Sequence, residues 1–280
     1  MAYVSLRFPN FKRKALTLSY DDDVIFNKRL IEIFNKYGLK ATFNLNSEHF
    51  TAEDGSWMIS EKTMVALLKN SSHEIAVHGA QHLSMSEVDD AIAVNDLITD
   101  RKNFERIFGK VIKGMAYANG TGAMNDRSVE LVKACGINYA RTTVSTHGFG
   151  VPTDWLRMPA TCHHADPKLM ELAKKFIESK EEKYYWANKP LLFYVWGHSF
   201  EFENANNWEV IENFAEYVSR KEDIWYATNG EIYDYVWAYN QLEYSVDGKI
   251  IHNPTATDVY IKPRGYGDTL VKAGETVILE

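Results

Sequence analysis

Seven short apolar runs, each followed by a stretch of helical period, occupy most of the 280-residue chain, and this alternation limits its fold more than any other feature. The runs fall at about 14–20, 40–45, 74–77, 111–117, 137–143, 191–196 and 224–227. After the first, Leu30, Ile33, Phe34 and Tyr37 recur on one helical face ahead of Gly38, a residue suited to a left-handed helix stop. Ser60 opens a short helix carrying Met64, Leu67 and Leu68. Ser84 and Glu87 have capping-box spacing before a long helix with Ala91, Val94, Ile98, Phe104 and Phe108 inward and Gly109 as its end. Further helices are predicted after Asn125, at Asp166-Pro167, around Trp208 and from Thr228-Asn229-Gly230. Strict β–α alternation makes a parallel sheet, because parallel neighbours need a crossover and a helix supplies it. This length and strand count suit a β/α barrel. Residues 144–165 hold Gly, Pro, Thr and His without a period, which predicts a long loop. Past residue 242 only short alternating stretches remain, at 244–246, 259–261 and 276–279. The expected organisation is an α/β barrel over 1–242 and a small β appendage over 243–280.

The apolar share of 45%, with 13% aromatics, is enough for a large core and excludes a disordered chain. A net charge of −7 without a basic block excludes nucleic acid as the main partner. No apolar run reaches the ~18 residues of a membrane span, and the first residues lack the charged-then-apolar form of a leader, so a cytoplasmic protein is expected. Cys135 and Cys162 are too few for a disulfide framework and read as buried thiols.

Barrel chemistry gathers at the C-terminal ends of strands. The reactive residues of this chain fall there: Asp21, Asp22 and Asp23 after the first strand, His78 and His82 after the third, Tyr117 to Gly120 after the fourth, Arg141 near the end of the fifth, Trp196 and His198 at the end of the sixth. Three adjacent carboxylates repel one another and strands disfavour Asp, so such a cluster calls for a cation. His78 and His82 are four apart; on a helical turn their imidazoles share a side and reach one ion at ~2.0–2.1 Å. An acid from the first strand completes a two-His, one-carboxylate set that leaves positions open for water and substrate. Without a Cys ligand, zinc, cobalt, nickel, iron and manganese all suit it.

On these residues the chain resembles the polysaccharide deacetylase (NodB-homology) family of carbohydrate esterases, carbohydrate esterase family 4. The family's first motif, T-F-D-D-G, is matched by Ser19-Tyr20-Asp21-Asp22-Asp23, its second, H-[ST]-x-x-H, by His78-Gly79-Ala80-Gln81-His82, and its fifth, a leucine-rich strand ending in His, by residues 191–198. The resemblance spans about residues 14–235. It implies a distorted seven-stranded β/α barrel and a metal-dependent hydrolase that removes N- or O-linked acetyl groups from an acetylated carbohydrate. It implies Asp21 as general base, Asp22, His78 and His82 as ligands of one divalent ion (zinc first, then cobalt, nickel or manganese) and His198 as general acid. The oxyanion donor is implied to be the backbone N–H of Asn119, at the position of the motif-three tyrosine. Tyr117 and Trp196 are candidates for stacking on a sugar.

The chain also departs from the family. Motif three, R-x-P-Y-G, reads Ala116-Tyr117-Ala118-Asn119-Gly120 and lacks its arginine and proline. In the family that arginine holds the base charged; Arg141, two strand ends away, is the candidate replacement. Asp23 stands in place of a turn glycine. The motif-four Asp-Trp pair, which orients the acid histidine, has only a loose match in Asp154-Trp155. Glu201 is a candidate to contact substrate or His198 but reads first as a solvated loop acid, and His163-His164 lack a spaced partner for a second metal site. Two further readings are an amidase acting on a non-sugar amide and a carbohydrate-binding barrel whose catalysis has lapsed.

Overall fold

The computed structural model describes residues 3–181, 184 and 188–280. After β1 (Val4–Arg7) the chain runs through β2 (Lys14–Asp21), α1 (Asn27–Tyr37), β3 (Ala41–Leu45), α2 (Glu61–Leu68), β4 (Glu74–Val77), α3 (Asp90–Phe108), β5 (Gly114–Ala116), α4 (Asp126–Ala134) and β6 (Tyr139–Ser145). It continues with β7 (Met158–Ala160), β8 (Cys162–His163), α5 (Leu169–Glu178), β9 (Leu191–His198), α6 (Ser199–Asn204), α7 (Glu209–Val218), β10 (Ile224–Tyr226) and α8 (Asn229–Asn240). Five short strands close it: β11 (Glu243–Tyr244), β12 (Ile250–His252), β13 (Val259–Pro263), β14 (Thr269–Val271) and β15 (Thr276–Ile278).

The main sheet is parallel throughout, in the order β7-β6-β5-β4-β3-β2-β9-β8. Its two ends are one stretch of chain. Only Thr161 separates β7 from β8, and its N–H donates to Tyr194 O of β9 at 2.8 Å. Residues 158–163 therefore pair with β6 on one side and β9 on the other, and the pairings return on themselves as a seven-membered ring. This revises the expected loop at 144–165: its second half supplies the sixth member of the ring. Strand β10, expected in the ring, instead pairs with only the first three residues of β2.

Local chemistry explains most element ends. Every residue of β2 is buried, as expected for a parallel strand covered on both faces. Gly38 ends α1 at φ 68°, a conformation open to glycine at little cost. Ser60 caps α2 by accepting the Thr63 N–H at 3.3 Å. The long helix α3 starts later than its capping-box spacing predicts, at Asp90. Ser84 and Glu87 form a turn instead, with Glu87 N–H donating to Ser84 O at 2.9 Å, while Ser86 N–H is drawn to Ala123 O at 3.0 Å.

The helices bury their apolar faces against the sheet in a core that includes Leu18, Phe34, Phe43, Phe104, Phe193 and Phe214. The C-terminal strands form two small antiparallel sheets, β11-β12-β15 and β1-β13-β14. Strand β1, which the sequence pattern did not reveal, thus shares a sheet with the C-terminal segment. Both sheets pack on α8 through Ala238, Leu242, Ile251, Val259, Ile261 and Val271. Among the described residues no helix is long and apolar enough to cross a membrane.

Candidate active site

Register brings the key residues together. Asp21, the last residue of β2, lies opposite Asn44 of β3 and His198 of β9. His78 follows β4 directly, and Arg141 lies on β6 opposite Ala116. All of them lie at or near the C-terminal edge of the sheet.

Asp21 is buried, with Asn44 Nδ2 donating to its Oδ1 at 2.8 Å. Its Oδ2 is paired with the Arg141 guanidinium, itself completely buried. Arg141 is held in place by the face of Trp196, 4.4 Å from its ring centre. Burial pushes the Asp21 carboxyl up, but Arg141, His78, His198 and the Asn44 amide together outweigh it and hold the group below its ordinary range. Arg141 thus gives Asp21 a buried cationic partner, where motif three lacks its arginine.

Asp22, His78 and His82 converge. His78 Nε2 is 3.8 Å and His82 Nε2 3.6 Å from Asp22 Oδ1. Two ligands of one ion at about 2.0–2.2 Å must lie within about 4.4 Å of each other, so the three atoms fit a common ion. The tautomer of His78 agrees: its Nδ1–H donates to Ala116 O at 2.8 Å, which leaves the Nε2 lone pair facing Asp22. Burial lowers the His78 pKa, outweighing Asp21 and Asp22 and favouring the neutral form that a ligand needs.

The turn between the two histidines is not helical, contrary to the spacing argument. Gly79 and His82 both take positive φ, 85° and 56°, and this turn brings the imidazoles together. A Cβ at Gly79 would overlap the Asp96 carboxylate. Asp22 and Asn119 share the left-handed conformation, at φ 74° and 59°. Asp, Asn and His tolerate it best among residues with side chains, and such strained positions cluster at functional sites.

His198 is oriented by a residue the sequence reading placed in solvent. Glu201, on the first turn of α6, accepts His198 Nδ1–H at 2.9 Å through Oε1. Its Oε2 faces His163 Nε2 at 3.1 Å and His164 Nε2 at 2.8 Å. One carboxylate therefore anchors three imidazoles. Burial raises the Glu201 pKa, but the three hydrogen bonds outweigh it and keep the group ionised. Burial likewise disfavours charge on His198, yet the Glu201 bond and the nearby Asp21 and Asp22 raise its pKa overall. Its Nε2 lies 3.8 Å from Asp21 Oδ2. His163, His198 and Glu201 stand close enough to share an ion, but their hydrogen bonds already satisfy the carboxylate. The signal available in the sequence was His198-x-x-Glu201, an i, i+3 pair at the start of a helix.

Other predicted residues go elsewhere. Asp154 does not reach His198; it caps its own turn by accepting Leu156 N–H at 3.1 Å and pairs with Arg157 at 2.9 Å. Trp155 packs edge-on against Tyr233. Tyr117 is buried, with its hydroxyl donated to Leu156 O at 2.9 Å and its N–H to Arg141 O at 3.0 Å. It is a core residue, without a group free for a sugar or an oxyanion. Trp196 is nearly buried between Arg141 and His163, and among the described residues its indole N–H has no acceptor. Asn119 is exposed and donates its side-chain amide to His82 O at 3.1 Å; among the described residues its backbone N–H has no acceptor. Asp23, in the turn-glycine position, is a structural tie: its Oδ2 accepts Asn46 N–H at 2.9 Å and its carbonyl accepts Ile59 N–H at 3.0 Å. Burial, with Asp100 and Asp22 nearby, pushes its carboxyl well up.

A parallel β/α ring thus carries Asp21, His198 and the Asp22–His78–His82 cluster at its C-terminal edge. The family model described as polysaccharide deacetylase matches residues 9–140, the part of the chain that carries Asp21, Asp22, His78 and His82. Solved structures share the fold. A Mycobacterium smegmatis protein assigned to the polysaccharide deacetylases aligns at 15% identity and TM-score 0.59, covering 86% of this chain and 96% of that one. An allantoinase aligns at 13% identity and TM-score 0.59, covering 84% and 93%. A peptidoglycan N-acetylglucosamine deacetylase aligns at 14% identity and TM-score 0.51, covering 83% and 92%. Among curated proteins no match is found.

Proposed function

We propose that this protein is a metal-dependent deacetylase that removes acetyl groups, N- or O-linked, from an acetylated sugar or oligosaccharide. The observation that carries the reading is the Arg141–Asp21 pair beside the Asp22–His78–His82 cluster: a carboxylate kept ionised within reach of three ion ligands. Asp22, His78 and His82 would hold a divalent ion, zinc above all, which would supply Lewis-acid polarisation and acidify a water. Asp21 accepts the proton of the attacking water, its charge secured by Arg141. Asn119 offers a backbone N–H to the oxygen on which negative charge develops. His198, kept protonated by Glu201, delivers a proton from Nε2 to the departing nitrogen or oxygen. Asp21 and His198 so form a pair whose surroundings push the pKa values apart, the base down and the acid up.

The test is acetate release from a panel of N- and O-acetylated oligosaccharides, with loss on chelation and recovery on adding a divalent ion. Asp21→Asn should lower kcat by about 10²–10⁴-fold with the ion still bound. Metal-loaded protein that frees acetate from no acetylated sugar would refute the reading. The fold also serves an allantoinase, so a panel of non-sugar amides belongs in the same experiment. Turnover there alone would make the protein an amidase.

A further inference from the structure

Much of the inside of the ring is polar, where β/α barrels usually pack branched apolar side chains in layers. On β2, Thr17, Ser19 and Asp21 are buried and alternate with Leu16, Leu18 and Tyr20, which belong to the core under the helices. Thr42 and Asn44 come from β3, Glu74 from β4, Tyr139 from β6 and Tyr194 from β9. Asn229, the first residue of α8, joins them and is completely buried.

These groups form one chain of hydrogen bonds from the N-terminal edge of the sheet to the C-terminal edge. Glu74 accepts Tyr139 O–H at 2.6 Å, Thr42 O–H at 2.8 Å and Gly230 N–H at 2.8 Å. Thr42 Oγ1 accepts the Asn229 backbone N–H at 2.9 Å, and Asn229 Oδ1 accepts Thr17 O–H at 2.9 Å. Asn229 Nδ2 donates to the Tyr194 hydroxyl at 2.7 Å, and that hydroxyl also bonds to the Ser19 side chain. Ser19 Oγ accepts from Asn44 Nδ2 at 2.8 Å, and the same amide group donates to Asp21 Oδ1 at 2.8 Å. One end of the chain is fixed, because the Asn229 and Gly230 N–H groups belong to the first turn of α8, which Thr228 and Glu231 close with a capping box. At the other end the Asn44 carbonyl oxygen has no partner among the described residues. Its amide plane is therefore held through Nδ2, by Ser19 and Asp21, with Tyr20 O further off at 3.5 Å. Two links, Asn44 and Asn229, are carboxamides, which donate and accept hydrogen bonds without ionising. The chain is thus a brace and not a proton path, and buried polar chains of this kind hold one arrangement of their side chains.

We propose that Ser19 and Tyr194 are positioning residues: anchored by Asn229, their hydroxyls hold the Asn44 amide and so fix the Asp21 carboxylate relative to the ion ligands. This rests on the deacetylase reading above. Arg141 sets one oxygen of Asp21, and the brace behind Asn44 sets the other.

The experiment measures kcat and KM for acetate release by zinc-loaded wild type, Ser19→Ala, Ser19→Thr, Tyr194→Phe and the double variant Ser19→Ala/Tyr194→Phe. Each is checked for melting temperature and bound metal. Ser19→Ala should lower kcat about 10- to 100-fold, the effect of slightly misplacing a reacting group, with KM and bound metal little changed. Ser19→Thr keeps the hydroxyl and should recover most of the loss. Tyr194→Phe should lower kcat less, and should cost nothing further in the Ser19→Ala background, because its effect passes through Ser19. Phe214→Leu, in the core under the helices, should lower the melting temperature and leave kcat alone. An unchanged kcat in either single variant, or additive losses in the double variant, overturns the brace. If wild type frees no acetate from any acetylated sugar, the deacetylase reading has failed and the brace is judged on Asn44 itself. In protein labelled with nitrogen-15 asparagine, the Asn44 side-chain amide is assigned by its loss in Asn44→Ala. A shift and faster solvent exchange of that amide in both Ser19→Ala and Tyr194→Phe uphold the brace, and an amide unchanged in either overturns it.

Discussion

Arg141→Met removes the cation that the sequence motif lacks and the structure restores. In the wild type Asp21 has one amide donor at 2.8 Å, from Asn44, and one guanidinium; the variant keeps the amide, the burial and the more distant His78 and His198 imidazoles, 3.8 Å away. An opposite charge at this range lowers a carboxyl pKa by about 1–3 units, so its loss should raise Asp21 by about that much. Since Asp21 must be ionised to act as a base, the acid limb of kcat/KM should move about 1–3 pH units upward. Below that limb each unit is tenfold in rate. The loss should therefore be deep at pH 6 and shallow at pH 9. The assay is the pH profile of acetate release at constant metal content. Breaking a buried ion pair also costs about 3–5 kcal/mol of stability, so melting must be followed in parallel. Arg141→Lys keeps the charge but loses the planar fork that lies on Trp196, and should fall between. A loss equal at every pH, with the acid limb unmoved, would show that Arg141 does not set the charge of Asp21.

Three further outcomes follow from the same geometry. Glu201→Gln removes the anion that raises His198, so the alkaline limb should move to lower pH and kcat should drop about 10- to 100-fold, part of what general acid catalysis contributes; an unchanged alkaline limb would remove Glu201 from the proton path. His73 is buried, accepts Ala41 N–H at Nδ1 at 3.1 Å, and is pushed down to about 4 by burial and then by Lys40. The unfolded chain takes up this proton first, near pH 6.5, so stability is full above that value and declines as pH falls towards 4, by up to about 3 kcal/mol. Urea unfolding at pH 7.5 and 4.5 should show a smaller pH effect in His73→Gln than in wild type; equal effects would contradict it. Gly197→Ala would put a Cβ into the His164 ring, costing about 1–3 kcal/mol and disturbing the Glu201 cluster; a variant with unaltered melting temperature and activity would show that the ring yields freely.

The sequence was most readable where chemistry is local. The acid run at the end of β2 and the four-residue spacing of His78 and His82 carry their own signal, and strand order then fixes their common edge. Arg141 was legible only through an absence: a base without its arginine needs a cation, and the strand ends offer few. Residues 158–163 were unreadable as a strand because two short segments, Met158–Ala160 and Cys162–His163, each pair on one side only. Neither is long enough to show a period. Glu201 was hidden by its setting, since an acid in a helix's first turn is ordinary and only the arrival of His163 and His164 at the end of β8 makes it an anchor. The His78–His82 turn came out right in outcome and wrong in backbone, because spacing alone does not separate a helical turn from one made with positive φ. Strand β1 was missed because its partner, β13, lies more than two hundred residues away in sequence.

The central claim is that one divalent ion, held by Asp22, His78 and His82, works with Asp21 and His198 to release acetate. It is tested most directly by titrating zinc into chelated protein while measuring bound metal and acetate release together, in wild type, Asp22→Ala and His82→Ala. The expected result is one ion per wild-type chain, acetate release rising in proportion to it, and loss of both in the two variants. Full acetate release by metal-free protein, or wild-type zinc affinity in both variants, would contradict the claim.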